Sequence, residues 1–287
     1  MRIGIVGAEN SHSAAIAKVI NVEKKIEGFS VDCIWGETAK FARDAAEAGR
    51  IPNVVKRPTD MLGKIDAVIV DHRHAKHHLA AARPFLKKKL PAFIDKPFCY
   101  RAREGRSFLA LAKKLRVPVT SFSVIPRQAS FAELKRKLSG IGKVLAGASW
   151  GPCDLRSKYG GVFFYGIHQV EACLAAFGYD VEGVQVVRGA NVSTGTLLYK
   201  SGLAVTMNLI KEGCKGFGFA AVGETGSFEH KHVSDENPYL AGIRAFTTMF
   251  ESGREPAEYT HDRILRPVEV LEALERSVRT GKVEKVR

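Results

Sequence analysis

The chain has only five cysteines in 287 residues, and none falls in a C-x-x-C spacing, so a disulfide framework and a zinc ribbon are both excluded. Cys33, Cys99, Cys153, Cys173 and Cys214 are scattered, and reduced thiols are expected. No apolar run is long enough to span a bilayer, and no basic-then-apolar leader precedes the β-branched run that starts at Arg2. A cytoplasmic protein with no membrane partner is the expectation. Acidic side chains are in the minority, 30 against 44 Lys and Arg, for a net charge of +14. That excess raises the question of nucleic acid. No recognition helix, RNA-binding aromatic motif or basic tail accompanies it. The bunches Lys87–Lys89 and Lys135–Lys137 lie on helical segments and read as solvated faces. No nucleic-acid partner is expected, and an anionic small molecule or cofactor is the remaining use for the charge.

What the chain does have is alternation. Strand-like runs at residues 2–6, 30–35, 53–56, 66–71, 91–94 and 117–122 are separated by helix-compatible segments at 14–20, 38–48, 75–89 and 101–115. Strands spaced by such helices indicate βαβ units and a Rossmann-like doubly wound parallel sheet. After Phe122 the texture changes to a helix at 128–138, a strand at 142–150, a glycine-rich loop at 151–161 and a helix through His168 to Phe177. Closely spaced strand-like runs follow from 181 to 230. These predict an α+β domain with an open, mostly antiparallel sheet. The expected division is therefore 1–122 and 123–287, with a C-terminal helix at about 262–280 packing back at the domain junction. His230 and His232 read as an exposed strand end.

Three segments carry chemistry. The fifth strand ends in Asp95-Lys96-Pro97, which delivers one ammonium to the carboxyl edge, where open α/β sheets bind ligands. The first strand ends in Gly7-Ala-Glu-Asn-Ser-His12, a strand–turn–helix layout able to meet a phosphate. Gly7 fills the first glycine position of a dinucleotide turn, while Glu9 and His12 fill the second and third. Gly7, Ala8, Asn10, Ser11 and His12 are the turn residues offered to a cofactor, with Asn10 and Ser11 able to cap the helix. The fourth strand runs into Asp71-His-Arg-His-Ala-Lys-His-His78, so Asp71, His72 and His74 reach the same edge and His78 caps or packs. No metal is expected in this run. His77 and His78 point to different faces of a helix, and Arg73 and Lys76 would repel a cation.

With Asp95-Lys96-Pro97 in place, the segment Lys158-Tyr-Gly-Gly-Val-Phe-Phe-Tyr-Gly-Ile-His-Gln-Val-Glu171 resembles the Gfo/Idh/MocA oxidoreductase family. The resemblance extends to Asn237-Pro-Tyr-Leu-Ala241 and to residues 266–281. It implies an NAD(P)-dependent oxidoreductase acting on a sugar, polyol or related hydroxyl or carbonyl compound. Lys96 matches the family lysine at nicotinamide ribose and substrate, His168 the catalytic histidine and Glu171 the acid after it. The family's aspartate four residues before the histidine is Phe164 here. This departure, with the degenerate turn, keeps open a catalytically degenerate ligand-binding or sensor protein. Glu37, after the second strand, would bond a ribose diol and repel a 2′-phosphate, which favours NAD over NADP. Substrate contacts are expected from Arg127, Asp154, Arg156, Lys158 and Tyr165. Their charge suits an anionic or polyhydroxylated small molecule. The open second sheet is expected to support a homo-oligomer.

Overall fold

A computed structural model describes all residues, 1–287. The chain forms two units, Met1–Phe122 with Tyr239–Ile264, and Ser123–Pro238 with Leu265–Arg287. No helix is long and apolar enough to cross a membrane.

The first unit is built on six parallel strands: β1 (Arg2–Val6), β2 (Ser30–Trp35), β3 (Asn53–Val54), β4 (Ala67–Val70), β5 (Ala92–Ile94) and β6 (Val119–Thr120). Their order is β3-β2-β1-β4-β5-β6. β4 is inaccessible along its whole length, as a strand covered on both faces must be, and its unbroken apolar run is the sequence record of that burial. Helices α1 (Ser11–Ala17), α2 (Ala39–Gly49), α3 (His78–Lys87) and α4 (Ala102–Leu115) make the crossovers. The Thr38 hydroxyl caps α2 by accepting from the Phe41 N–H, and Arg50 closes it in the left-handed region. Strand order reverses between β1 and β4, so the loops after β1, β2, β4 and β5 share the carboxyl edge at the switch point.

The sequence reading runs the second domain unbroken from 123 to 287, whereas the structure returns Tyr239–Ile264 to the first unit. The cause is the helix Leu240–Ser252, α7 in chain order, whose Ile243, Phe246, Met249 and Phe250 are buried in one cluster with Phe93 and Phe122. Phe246 stacks on Phe93 with ring centroids 4.6 Å apart.

The second unit holds a seven-stranded sheet: β7 (Val144–Pro152), β8 (Val181–Val187), β9 (Val192–Tyr199), β10 (Ala204–Ile210), β11 (Gly218–Gly223), β12 (Gly226–Lys231) and β13 (Glu284–Lys285). The order is β12-β11-β7-β10-β9-β8-β13, antiparallel throughout except where β7 and β10 run parallel. Alternating burial along β9 and β10 marks a sheet with one well-covered face. Helices α5 (Ala129–Ser139) and α6 (Gly166–Phe177) supply Phe131, Leu134, Leu138 and Ala172 to a cluster with Phe219 and Ala221 of β11. The last helix, α8 (His261–Thr280), leads into β13. That two-residue edge strand has no hydrophobic period and is not foreseen in the sequence. His230 and His232, read as exposed, are buried instead, at 4% and 9%. His230 Nε2 lies 3.0 Å from the Ser130 hydroxyl.

Candidate active site

The carboxyl edge of the first sheet is assembled around Gly7. Its φ is +110°, and a Cβ there would stand 2.6 Å from the carbonyl carbon of Asp71 and 2.7 Å from the His72 nitrogen. Only glycine lets the loops after β1 and β4 pass this closely. The backbone N–H groups of Ala8 and Glu9 donate to one carboxylate oxygen, Glu37 Oε2, both at 2.9 Å. Glu37 Oε1 lies 3.4 Å from His72 Nδ1. The turn thus presents two amides to an anionic group, and the acid after β2 is the group they hold.

Asn10 stands at the N-cap of α1, but its side chain makes no capping bond. Its Nδ2 donates to Asp71 Oδ1 at 2.8 Å and to Asp95 Oδ2 at 3.0 Å, joining three loops. Ser11 opens the helix, and the neighbouring Ser13 hydroxyl donates to the Asn10 carbonyl. His12 Nδ1 is 3.1 Å from Asp95 Oδ1, and its ring meets Tyr239 edge-on at 5.2 Å. Lys96 Nζ is 3.2 Å from Asp95 Oδ2, with both side chains largely buried. Burial and the neighbouring Asp95 charge raise the Asp71 carboxyl well above the usual carboxylate range. Burial also opposes charge on Asp95, but Lys96 and His12 outweigh it and hold that carboxyl far below its ordinary value.

The histidines after β4 divide by role. Burial pushes His72 down to about 3 and His74 down to about 4. His74 Nδ1 accepts from the Lys76 N–H and so caps its own short turn. His78 is fully buried, with Nδ1 2.9 Å from the Pro97 carbonyl and Nε2 2.8 Å from the His72 carbonyl. It fastens the His72 loop to the loop carrying Lys96.

In the second unit, His168 lies in the first turn of α6, and its Nδ1 is 2.7 Å from the Ser123 hydroxyl. Phe164 lies between the rings of Tyr159 and Tyr165, 5.0 and 4.9 Å away. Residue 164, where the resemblance expects an aspartate, is therefore part of an aromatic group. Ser123 is the polar partner that sequence reasoning misses, because 45 residues separate it from His168. Tyr165 takes φ 65°, is 43% exposed and meets the His168 ring edge-on. Asp154 and Arg156 line a cavity of about 580 Å³ together with Arg188 and Lys211. Arg127, Lys158 and Tyr165 are not among its lining residues. Arg127 ends a short turn, and Lys158 lies over the Tyr159 ring at 4.9 Å.

Set beside known proteins, residues 1–122 match the model of the Gfo/Idh/MocA oxidoreductase family, NAD-binding Rossmann fold. No curated protein matches the sequence. Among solved structures, scyllo-inositol dehydrogenase from Lactobacillus casei, with bound NAD(H) and scyllo-inositol, superposes with a TM-score of 0.85 at 14% identity, covering 100% of this chain and 99% of the other. An oxidoreductase from Thermotoga maritima gives 0.84 at 18% identity, covering 100% and 98%. A myo-inositol dehydrogenase from Corynebacterium glutamicum gives 0.81 at 14% identity, covering 100% and 99%. At these identities the likeness establishes a shared fold over the whole length.

Proposed function

We propose that the chain is an NAD-dependent oxidoreductase that interconverts a hydroxyl and a carbonyl on a polyol, sugar or related compound. The observation that carries this reading is Lys96, held by buried Asp95 at the carboxyl end of β5 in an NAD-binding Rossmann unit. The residues fit a dinucleotide: Gly7 lets the loops after β1 and β4 meet closely at the switch point, and Glu37 stands after β2 where a ribose diol is read. Its carboxylate favours NAD over NADP, since a 2′-phosphate would meet like charge. Bound nicotinamide would supply a hydride acceptor. Lys96 offers a fixed cation to the hydroxyl oxygen of the carbinol being oxidised, and His168, oriented by Ser123, takes the hydroxyl proton. Gly7, Ser11, His72 and His74 complete the cofactor edge in this reading.

Inositol dehydrogenases among the structural relatives support a polyhydroxylated substrate, and Arg156, Arg188 and Lys211 support an anionic one. The open second sheet is the surface we assign to a homo-oligomer. A non-catalytic ligand-binding protein is the second reading, favoured by Glu37 occupying the turn amides and by Phe164 in place of the acid. Titration calorimetry with NAD and NADP, followed by nucleotide reduction with a panel of inositols and sugar acids, separates the two. A chain that binds neither nucleotide is not a dehydrogenase.

A further inference from the structure

We propose that His12, Asp71 and Asp95 form a binding site for a divalent first-row cation such as Mn²⁺ or Zn²⁺. One imidazole nitrogen and two carboxylate oxygens from three loops converge with all their ligand atoms within 4.8 Å of one another. His12 Nδ1 is 3.1 Å from Asp95 Oδ1 and 3.9 Å from Asp71 Oδ1. Two donors about 2.0–2.2 Å from one ion stand about 3 Å apart at right angles and about 4.4 Å apart when opposite, a range that contains both distances.

A second observation points independently to a missing ligand. Asp71 is fully buried, yet its Oδ2 has no hydrogen-bond partner. An ionised oxygen there lacks a donor, and a protonated one lacks an acceptor; either state leaves a buried polar atom unsatisfied, at a cost of about 1–3 kcal/mol. A cation held by both oxygens of Asp71 removes that cost and offsets the repulsion between the two acids. Lys96, 3.2 Å from Asp95 Oδ2, opposes a divalent ion at this place, so binding requires Asp71 to give up any proton and Lys96 to turn away from Asp95.

Asn10 reinforces the assignment. Its carboxamide lies between the two carboxylates, with Nδ2 donating to both. Carboxamide nitrogen and oxygen exchange places by a simple flip, so the same side chain can turn Oδ1 toward an ion as a fourth ligand. The mixed imidazole–carboxylate set suits Mn²⁺ and Zn²⁺ rather than a soft, thiolate-seeking metal.

The test uses the full-length protein, stripped with a chelator and dialysed against Mn²⁺ without nucleotide, so its result is separate from that of nucleotide binding. Expected are one Mn²⁺ per chain, a nitrogen coupling from His12 in pulsed electron paramagnetic resonance, and at least 10-fold weaker binding in Asp71→Asn. The nitrogen coupling should vanish in His12→Gln. Absence of saturable one-to-one binding of both Mn²⁺ and Zn²⁺ overturns the site, as does undiminished affinity in Asp71→Asn. Should that variant fail to fold, the wild-type spectrum decides, since bound Mn²⁺ without nitrogen coupling also refutes the assignment.

Discussion

The Ser123 hydroxyl lies 2.7 Å from His168 Nδ1 and also accepts from the Ile125 N–H. It bonds the ring of a histidine four residues after Phe164. A serine can donate or accept, so it orients the imidazole without adding charge to it. Ser123→Ala should therefore lower kcat about 10-fold, equivalent to about 1.4 kcal/mol of transition-state stabilisation. KM should change little. The loss of one buried hydrogen bond would cost about 1 kcal/mol of stability. Steady-state kinetics beside thermal unfolding separate positioning from folding: a stability loss with unchanged kcat would refute the catalytic assignment of the pair.

Glu37 contributes both an acceptor for two backbone amides and a negative charge. Glu37→Gln keeps an acceptor oxygen and removes the charge. On the proposed cofactor assignment, the preference for NAD over NADP should narrow by about 10-fold, corresponding to about 1.4 kcal/mol. Calorimetric titration of both nucleotides into wild type and variant reads this directly. Tighter NADP binding by the wild-type protein would contradict the role given to Glu37.

The two sheets are legible in the sequence because their signals are local: β1 and β4 are continuous apolar runs, and β9 and β10 alternate. Lys96 and the degenerate turn at Gly7 are legible for the same reason, each lying at the end of such a run. The homing of α7 on the first unit is not, since Phe246 and Phe93 are distant in sequence and nothing local names the partner. The contacts of His12 with Asp95 and of Ser123 with His168 span 83 and 45 residues and exist only through the tertiary fold. In the histidine run 72–78, where the sequence argues against a metal, His74 caps its own short turn and His78 bonds the carbonyls of His72 and Pro97.

His230 and His232 give the second unit an acid-sensitive point. Burial lowers both imidazoles from their ordinary value, with Lys137 adding to the effect at His230 and His230 at His232. In the unfolded chain each titrates near about 6.5. Below that pH the unfolded state binds protons that the folded state refuses, so stability is retained above about 6.5 and declines as pH falls toward the lowered folded values. Urea unfolding at about pH 7.5 and about pH 5.5 should show this loss, and it should be smaller in His232→Leu. An identical pH difference in the variant would exclude His232 as a contributor.

Thiol chemistry should be confined to one site. Burial pushes Cys153 and Cys173 up to about 12 and also raises Cys33. Cys99 is buried as well, and only Cys214 is partly accessible. At about pH 8 the two most shifted thiols are ionised to only about one part in ten thousand, and the thiolate is the reactive species. Iodoacetamide should then modify Cys214 alone in the native protein and all five cysteines after denaturation, as read by mass spectrometry. Early labelling of Cys153 would show that its loop opens.

The first unit should not fold stably from residues 1–122 alone. Its core cluster includes Ile243, Phe246, Met249 and Phe250 of α7, and Phe246 packs on Phe93 and Phe250 with centroids 4.6 and 5.5 Å away. Without that helix, apolar surface on Phe93 and Phe122 is exposed to water, and each fully buried large side chain contributes about 1.5–3 kcal/mol. Phe246→Ala in the full chain should cost about 3–5 kcal/mol through lost transfer energy and the cavity left behind. Urea titration of the variant measures that loss. For the isolated segment 1–122, a cooperative transition of wild-type midpoint would show that α7 is dispensable; a broad transition, sharpened when residues 239–264 are joined by a flexible linker, would place the helix within the folding unit.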